Sequence, residues 1–176
     1  MPASSTTLLP DAGPLITLAY ADALDLLLAP GWSVEIVDMV LKELTRNTTP
    51  TSERINTWVQ HNRLAVLTTR VGDHYEKAVA ENQSIRKSGL GELAIQETMS
   101  AFALDTPPRT GVFLFEDHKI ARASFHLPDC CRKVSTRAFL LFLEQRSLIP
   151  SAMEIERRAL AAGRQFSQIR FPPPSE

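Results

Sequence analysis

Short apolar runs alternate with longer stretches of helical periodicity along most of this chain, and nothing else in it constrains the fold as strongly. Residues 6–9, 33–37, 64–69 and 111–115 read as strands, and Val134 marks a short fifth. Helical segments are expected at 14–20, 21–28, 39–46, 49–62 with Thr51 or Ser52 near its start, 71–81, 90–104, 117–125, 136–148 and 152–162. Parallel neighbours in a sheet need a crossover, usually helical, so this order predicts an α/β fold with a parallel sheet. The run "GVFLF" (111–115) carries no polar side chain on either alternating set, which marks a strand covered on both faces.

At 176 residues and 44% hydrophobic content the chain is long and apolar enough to fold around a core, which excludes bulk disorder. The expected division is a main domain over 1–148 and a C-terminal helical extension with a proline-rich tail over 149–176. A net charge of −1 excludes a general basic field, so any nucleic-acid binding must rest on local patches. The only cysteines, Cys130 and Cys131, are adjacent and poorly placed to bridge each other. They point to a reducing compartment. His61, His74, His118 and His126 are scattered without zinc-like spacing. The most apolar early stretch, 18–29, is interrupted by Asp22 and Asp25 and is too short to span a bilayer. No targeting pattern precedes it, and a cytoplasmic protein with no membrane partner is expected.

In a right-handed βαβ unit the strand ends where the next helix begins, and ligands of open α/β sheets bind at that edge. Asp11 follows the first expected strand and Asp117 the fourth. Glu92 stands in the first turn of its helix and shares a face with Ile95 and Met99. Val40, Glu43 and Leu44 share a face of the helix after the second strand in the same way. Carboxylates from four separate segments are thus expected at one cleft.

Each acid also has a plainer role open to it. Asp11 and Asp117 suit helix N-caps, as Asp38 does before 39–46. Glu92 suits a dipole-complementing position, and Glu43 a solvated helix charge. The conjunction favours the shared site, because clustered like charges are tolerable only with protonation or bound cations. Oxygen donors without His or Cys favour Mg²⁺ or Mn²⁺ over zinc. Carboxylate-held Mg²⁺ keeps waters and engages phosphate, so phosphoryl chemistry is the expected reaction.

Four segments in this order carry a family resemblance: "LLPDAGPLITLA" (8–19), "VDMVLKELTR" (37–46), "GLGELAIQ" (89–96) and "FEDHKIARA" (115–123). Over about residues 8–148 the chain resembles the PIN domain, the nuclease fold of VapC-type toxins of bacterial toxin–antitoxin systems. The resemblance implies a PIN-like α/β/α sandwich with a central, mostly parallel sheet. It carries the family's metal-binding and catalytic acids onto Asp11, Glu43, Glu92 and Asp117. It further implies Mg²⁺- or Mn²⁺-dependent hydrolysis of RNA, dimerisation into a homodimer, and a cognate antitoxin.

Arg86 and Lys87, in the loop before Glu92, are placed to meet an RNA backbone, or else form a solvated basic loop. Arg122 is expected to pair with an active-site acid or, alternatively, to contact substrate phosphate. Glu116 is expected to be peripheral. Residues 137–145 are apolar nearly all round and read as a core helix, with a dimer interface as the alternative. Arg157, Arg158 and Arg164 suit a solvated face, or contacts to RNA or an antitoxin. Two rival functions remain. One is a non-catalytic PIN-like module that binds RNA or protein. The other is a haloacid-dehalogenase-like phosphatase, which needs a second Asp two residues after the first, where this chain has Gly13.

Overall fold

The computed structural model describes residues 6–85, 89–116 and 126–165. Its strands are β1 (Thr6–Pro10), β2 (Ser33–Val37), β3 (Ala65–Leu67), β4 (Thr110–Phe115) and β5 (Cys131–Ser135). They form one sheet in the order β3-β2-β1-β4-β5, with every neighbouring pair parallel. β1 is central, and its Leu8 and Leu9 are fully buried. It runs in register with β4 from Thr6 opposite Thr110 to Pro10 opposite Leu114. Pro10 has no N–H to give, so it sits at the strand's last position, where a ladder bond is least missed.

The helices are α1 (Ala12–Tyr20), α2 (Asp38–Thr45), α3 (Pro50–His61), α4 (Arg70–Ala80), α5 (Leu90–Leu104), α6 (Thr136–Gln145) and α7 (Ala152–Ala161). The architecture is a three-layer α/β/α sandwich. α1 packs with α3 and α7, and α7 with α6, while α4 packs on α5. α2 touches both groups. Ile95, Met99 and Phe102 of α5 are fully buried, at the three- and four-residue spacing that the apolar stripe of 90–104 predicts.

The elements depart from the sequence expectation at several places. The helix expected over 21–28 is only a 3₁₀ turn, Leu24–Leu27. Asp22 adopts a left-handed φ of 52°, which stops α1 before it can continue. α3 falls within the expected 49–62: Thr49 is its N-cap, its side chain accepts from the Ser52 N–H, and Pro50 occupies the first turn. β3 is three residues long at the sheet edge, with Ala65 and Val66 exposed. The helix expected over 117–125 lies outside the described residues.

α6 is a core helix: Phe139, Leu140 and Leu143 are buried, and the Phe142 ring stacks on Trp32 at 5.4 Å. The described part of the C-terminal extension belongs to the same body. Ile149, Ala152, Ile155 and Ala159 are buried, and Arg158 donates to the Ala21 and Asp22 carbonyls. Arg54 of α3 donates to Ala19 O at 2.8 Å, so two cations complement the carbonyl end of α1. No helix among the described residues is long and apolar enough to cross a membrane.

Candidate active site

The strand order reverses between β1 and β4, since β2 and β3 lie to one side and β5 to the other. Crossovers diverge at such a point and leave a crevice beyond the strand C-termini, where ligands of open α/β sheets bind. Asp11 directly follows β1, and Glu116 directly follows β4. The Asp11 N–H donates to Leu114 O at 2.9 Å, which extends the ladder one residue and fixes the acid at this crevice. Asp11 holds the N-cap position of α1 with extended backbone, yet its carboxylate makes no capping hydrogen bond. Its side chain is therefore not spent on the helix start.

Glu43 reaches the same place from α2. Both carboxylates border the space around Gly91, in the first turn of α5. A Cβ at that position would lie 3.5 Å from Asp11 Oδ1, 3.5 Å from Glu43 Oε2 and 3.2 Å from Val40 Cγ2. Two carboxylates from separate segments thus approach one point, and a side chain there would meet both at contact distance and press on Val40. The N-terminal end of α5 adjoins this point and that of α1 carries Asp11 itself, and their dipoles favour ionised carboxylates there. Glu92 is the next residue of α5, half-buried in the same first turn. Ile95 and Met99 are buried as the shared-face expectation requires.

Asp117, Arg86, Lys87 and Arg122 lie outside the described residues. Among the described residues, no group of three His, Cys, Asp or Glu side chains is placed to hold a metal ion. The donors present nevertheless suit Mg²⁺ or Mn²⁺, for Mg²⁺ is commonly held by one or two carboxylates with water and phosphate filling the rest.

Glu116 is not peripheral. Its side chain is 13% exposed and accepts from the Thr17 hydroxyl, 2.8 Å from each carboxylate oxygen. Arg164 Nε donates in turn to Thr17 Oγ1 at 2.9 Å, and Arg164 Nη2 lies 3.5 Å from Glu116 Oε2. Burial pushes the Glu116 carboxyl above its ordinary range, and the Thr17 and Arg164 contacts pull against that shift. A Cβ on Gly13 would stand 3.0 Å from Glu116 Cβ. The first turn of α1 and the end of β4 therefore touch across the crevice. An acid after a buried strand was the visible signal for Glu116. Its basic partner, Arg164, comes 48 residues later, just past the end of α7, at no spacing that a pattern reveals.

Other charges prove structural. Arg157 pairs with Glu154 on the surface of α7. Asp38 does not cap α2 from outside. It is the first helical residue, and its carboxylate accepts from the Met39 N–H, the Thr69 N–H and the Thr69 hydroxyl, tying α2 to the start of α4. Glu97 of α5 accepts from the Arg70 and Val71 amides at the α4 N-terminus.

A groove of about 550 Å³ runs between α1, α2 and α3 and reaches Glu43. Ala12 and Glu43 line it, as do Ile16 and Tyr20 of α1, Asn47, and Thr51 of α3. Among the described residues, Glu43 is the only charged one on its walls.

No family model matches the chain, nor does any curated protein or solved structure.

Proposed function

We propose that the chain is a divalent-metal-dependent ribonuclease of the PIN type, working as the toxin of a toxin–antitoxin pair. The observation that carries this reading is the approach of Asp11 and Glu43 to one point beside Gly91, at the crevice where the strand order reverses. The toxin role, the antitoxin and a homodimer rest on the sequence resemblance alone.

Asp11 and Glu43 would hold Mg²⁺ or Mn²⁺, with Glu92 and Asp117 completing the donor set. When bound, the ion would supply a water activated as a nucleophile near neutral pH and would neutralise charge on the phosphate oxygens. The protein's own part is to place the carboxylates. The Asp11 backbone is held by its ladder bond to Leu114, and Glu43 is carried by α2, whose Val40 and Leu44 are buried. The helix N-termini lower the cost of bringing these negative groups together. A phosphatase of the haloacid-dehalogenase type fits poorly, because an Asp at position 13 would press its Cβ against Glu116.

The test is cleavage of labelled RNA by the purified chain in Mn²⁺ or Mg²⁺, with EDTA as the stop. Asp11→Asn, Glu43→Gln and Asp117→Asn should each lose activity, the two aspartate variants by several orders of magnitude. Cleavage that survives in all three would reject the carboxylate-metal mechanism. A wild type that binds RNA without cutting it would support the non-catalytic alternative.

A further inference from the structure

The groove beside the acid pair has a composition that the cleavage chemistry does not use. We infer, resting on the nuclease reading above, that it is a nucleobase subsite: it takes one unpaired base of a single-stranded RNA next to the phosphodiester that is cut.

Three observations converge on that occupant. The first is continuity. Glu43 belongs both to the convergence at Gly91 and to the groove wall, and Ala12 follows Asp11 directly. A group in the groove is therefore joined to one at the acids by a short covalent span, as a base is joined to its own phosphate.

The second is charge. Among the described residues no Lys or Arg lines the groove, whereas a channel for the phosphate backbone needs cations. The wall suits a neutral, largely apolar ligand portion. Glu43 at the acid end would repel a phosphate that entered without a metal.

The third is the mixture of an aromatic ring with uncommitted polar groups. Tyr20, half-buried, and Ile16 offer flat apolar surface for stacking. Among the described residues, no side-chain hydrogen bond engages the Asn47 amide, the Thr51 hydroxyl or the Tyr20 hydroxyl. Its neighbours Thr49 and Ser52, by contrast, are fully occupied by the cap of α3. An amide and a hydroxyl left open above a ring and an aliphatic side chain are what reading a base edge requires. At about 550 Å³ the groove lies within the usual range for small-ligand sites.

The experiment uses the full chain and fluorescein-labelled single-stranded RNA decamers of each homopolymer. Binding is read by anisotropy in EDTA, and cleavage separately in Mn²⁺. Wild type should prefer one or two of the four sequences. Asn47→Ala and Thr51→Ala, both on exposed or half-exposed positions, should flatten that preference. Tyr20→Leu should weaken binding of every sequence about tenfold, the usual scale for a lost stacking platform. Circular dichroism melts establish that each variant is folded. Variants that bind all four decamers as wild type does would overturn the subsite, whether or not the protein cuts RNA. Preference lost in the variants while wild type fails to cut would uphold the subsite and reject the nuclease. If Asn47→Arg instead turns a wild-type dimer into a monomer without changing RNA affinity, the groove belongs to a second copy and the proposal falls.

Discussion

Arg164, three residues beyond the end of α7, places its guanidinium 3.5 Å from Glu116, the residue that follows β4. Thr17 of α1 stands between them, accepting from Arg164 Nε and donating to the carboxylate. The C-terminal extension thereby reaches the crevice wall beside the candidate catalytic acids. Both charged side chains are largely shielded from solvent, at 20% and 13% exposure. Their pairing is therefore worth more than a surface ion pair, and losing one partner leaves the other poorly compensated.

Arg164→Ala should destabilise the fold by about 1–3 kcal/mol, read from urea midpoints. In a Glu116→Gln background the same substitution should cost less, since the amide carries no charge to strand while still accepting from Thr17. Equal costs in both backgrounds would mean that Arg164 acts only through Thr17 or its other contacts.

Metal binding is checked without reference to activity. Millimolar Mn²⁺ or Mg²⁺ should raise the melting temperature, because a ligand bound only by the folded state stabilises it by mass action. Asp11→Asn should remove most of that shift. A wild type whose melting is indifferent to both ions would remove the basis for a metal site.

Glu92 separates repulsion from helix support. In EDTA, Glu92→Gln should leave stability unchanged or raise it by up to about 1 kcal/mol, since it relieves crowding among like charges. With Mn²⁺ the sign should reverse, as the variant holds the ion less well. The same loss with and without Mn²⁺ would reduce Glu92 to a residue that complements the α5 dipole.

Gly91 offers a substitution that disturbs the site more than the fold. Its added methyl in Gly91→Ala meets Val40 at 3.2 Å and the two carboxylates at 3.5 Å. Overpacking costs about 1–3 kcal/mol, and the better helix propensity of alanine returns about 1. Metal-free stability should therefore fall only modestly, while the Mn²⁺-induced thermal shift shrinks. An undiminished shift would show that the ion sits away from this point.

Cys131 gives a pH test. Burial and the neighbouring Cys130 push its thiol up from 9.0 to about 11. The folded state thus favours the protonated form. The resulting stability is complete below 9.0 and is lost as pH rises through about 11. Against a Cys131→Ala reference, wild type should lose on the order of 1–2 kcal/mol across that interval. A constant difference between the two proteins would show that the thiol titrates normally.

The sheet and its order of elements were legible because buried parallel strands announce themselves as short apolar runs between helical periods. Residues 90–104 were read to the residue, since Ile95, Met99 and Phe102 repeat at helical spacing. What failed was local. Asp22 ends α1 through a backbone conformation that hydropathy does not encode. Within the site, Asp11 followed from its place after a strand, and Glu43 from the apolar neighbours on its helix. The role of Gly91 is visible only once three segments are folded together, and Glu116 pairs with Arg164 across 48 residues that no periodicity links.

The N–H of Asp11 donating to Leu114 has a consequence for how such a site can change over generations. A side chain on a loop can drift by small steps as insertions and substitutions accumulate. One locked into strand pairing cannot. Moving Asp11 along β1 by a single residue carries it about 3.3 Å and turns it to the opposite face of the sheet. Its position is therefore quantised. Mutation can preserve it or abolish it, but offers no intermediate placements to select among, so refinement of the site must come from α2, α5 and the groove around them.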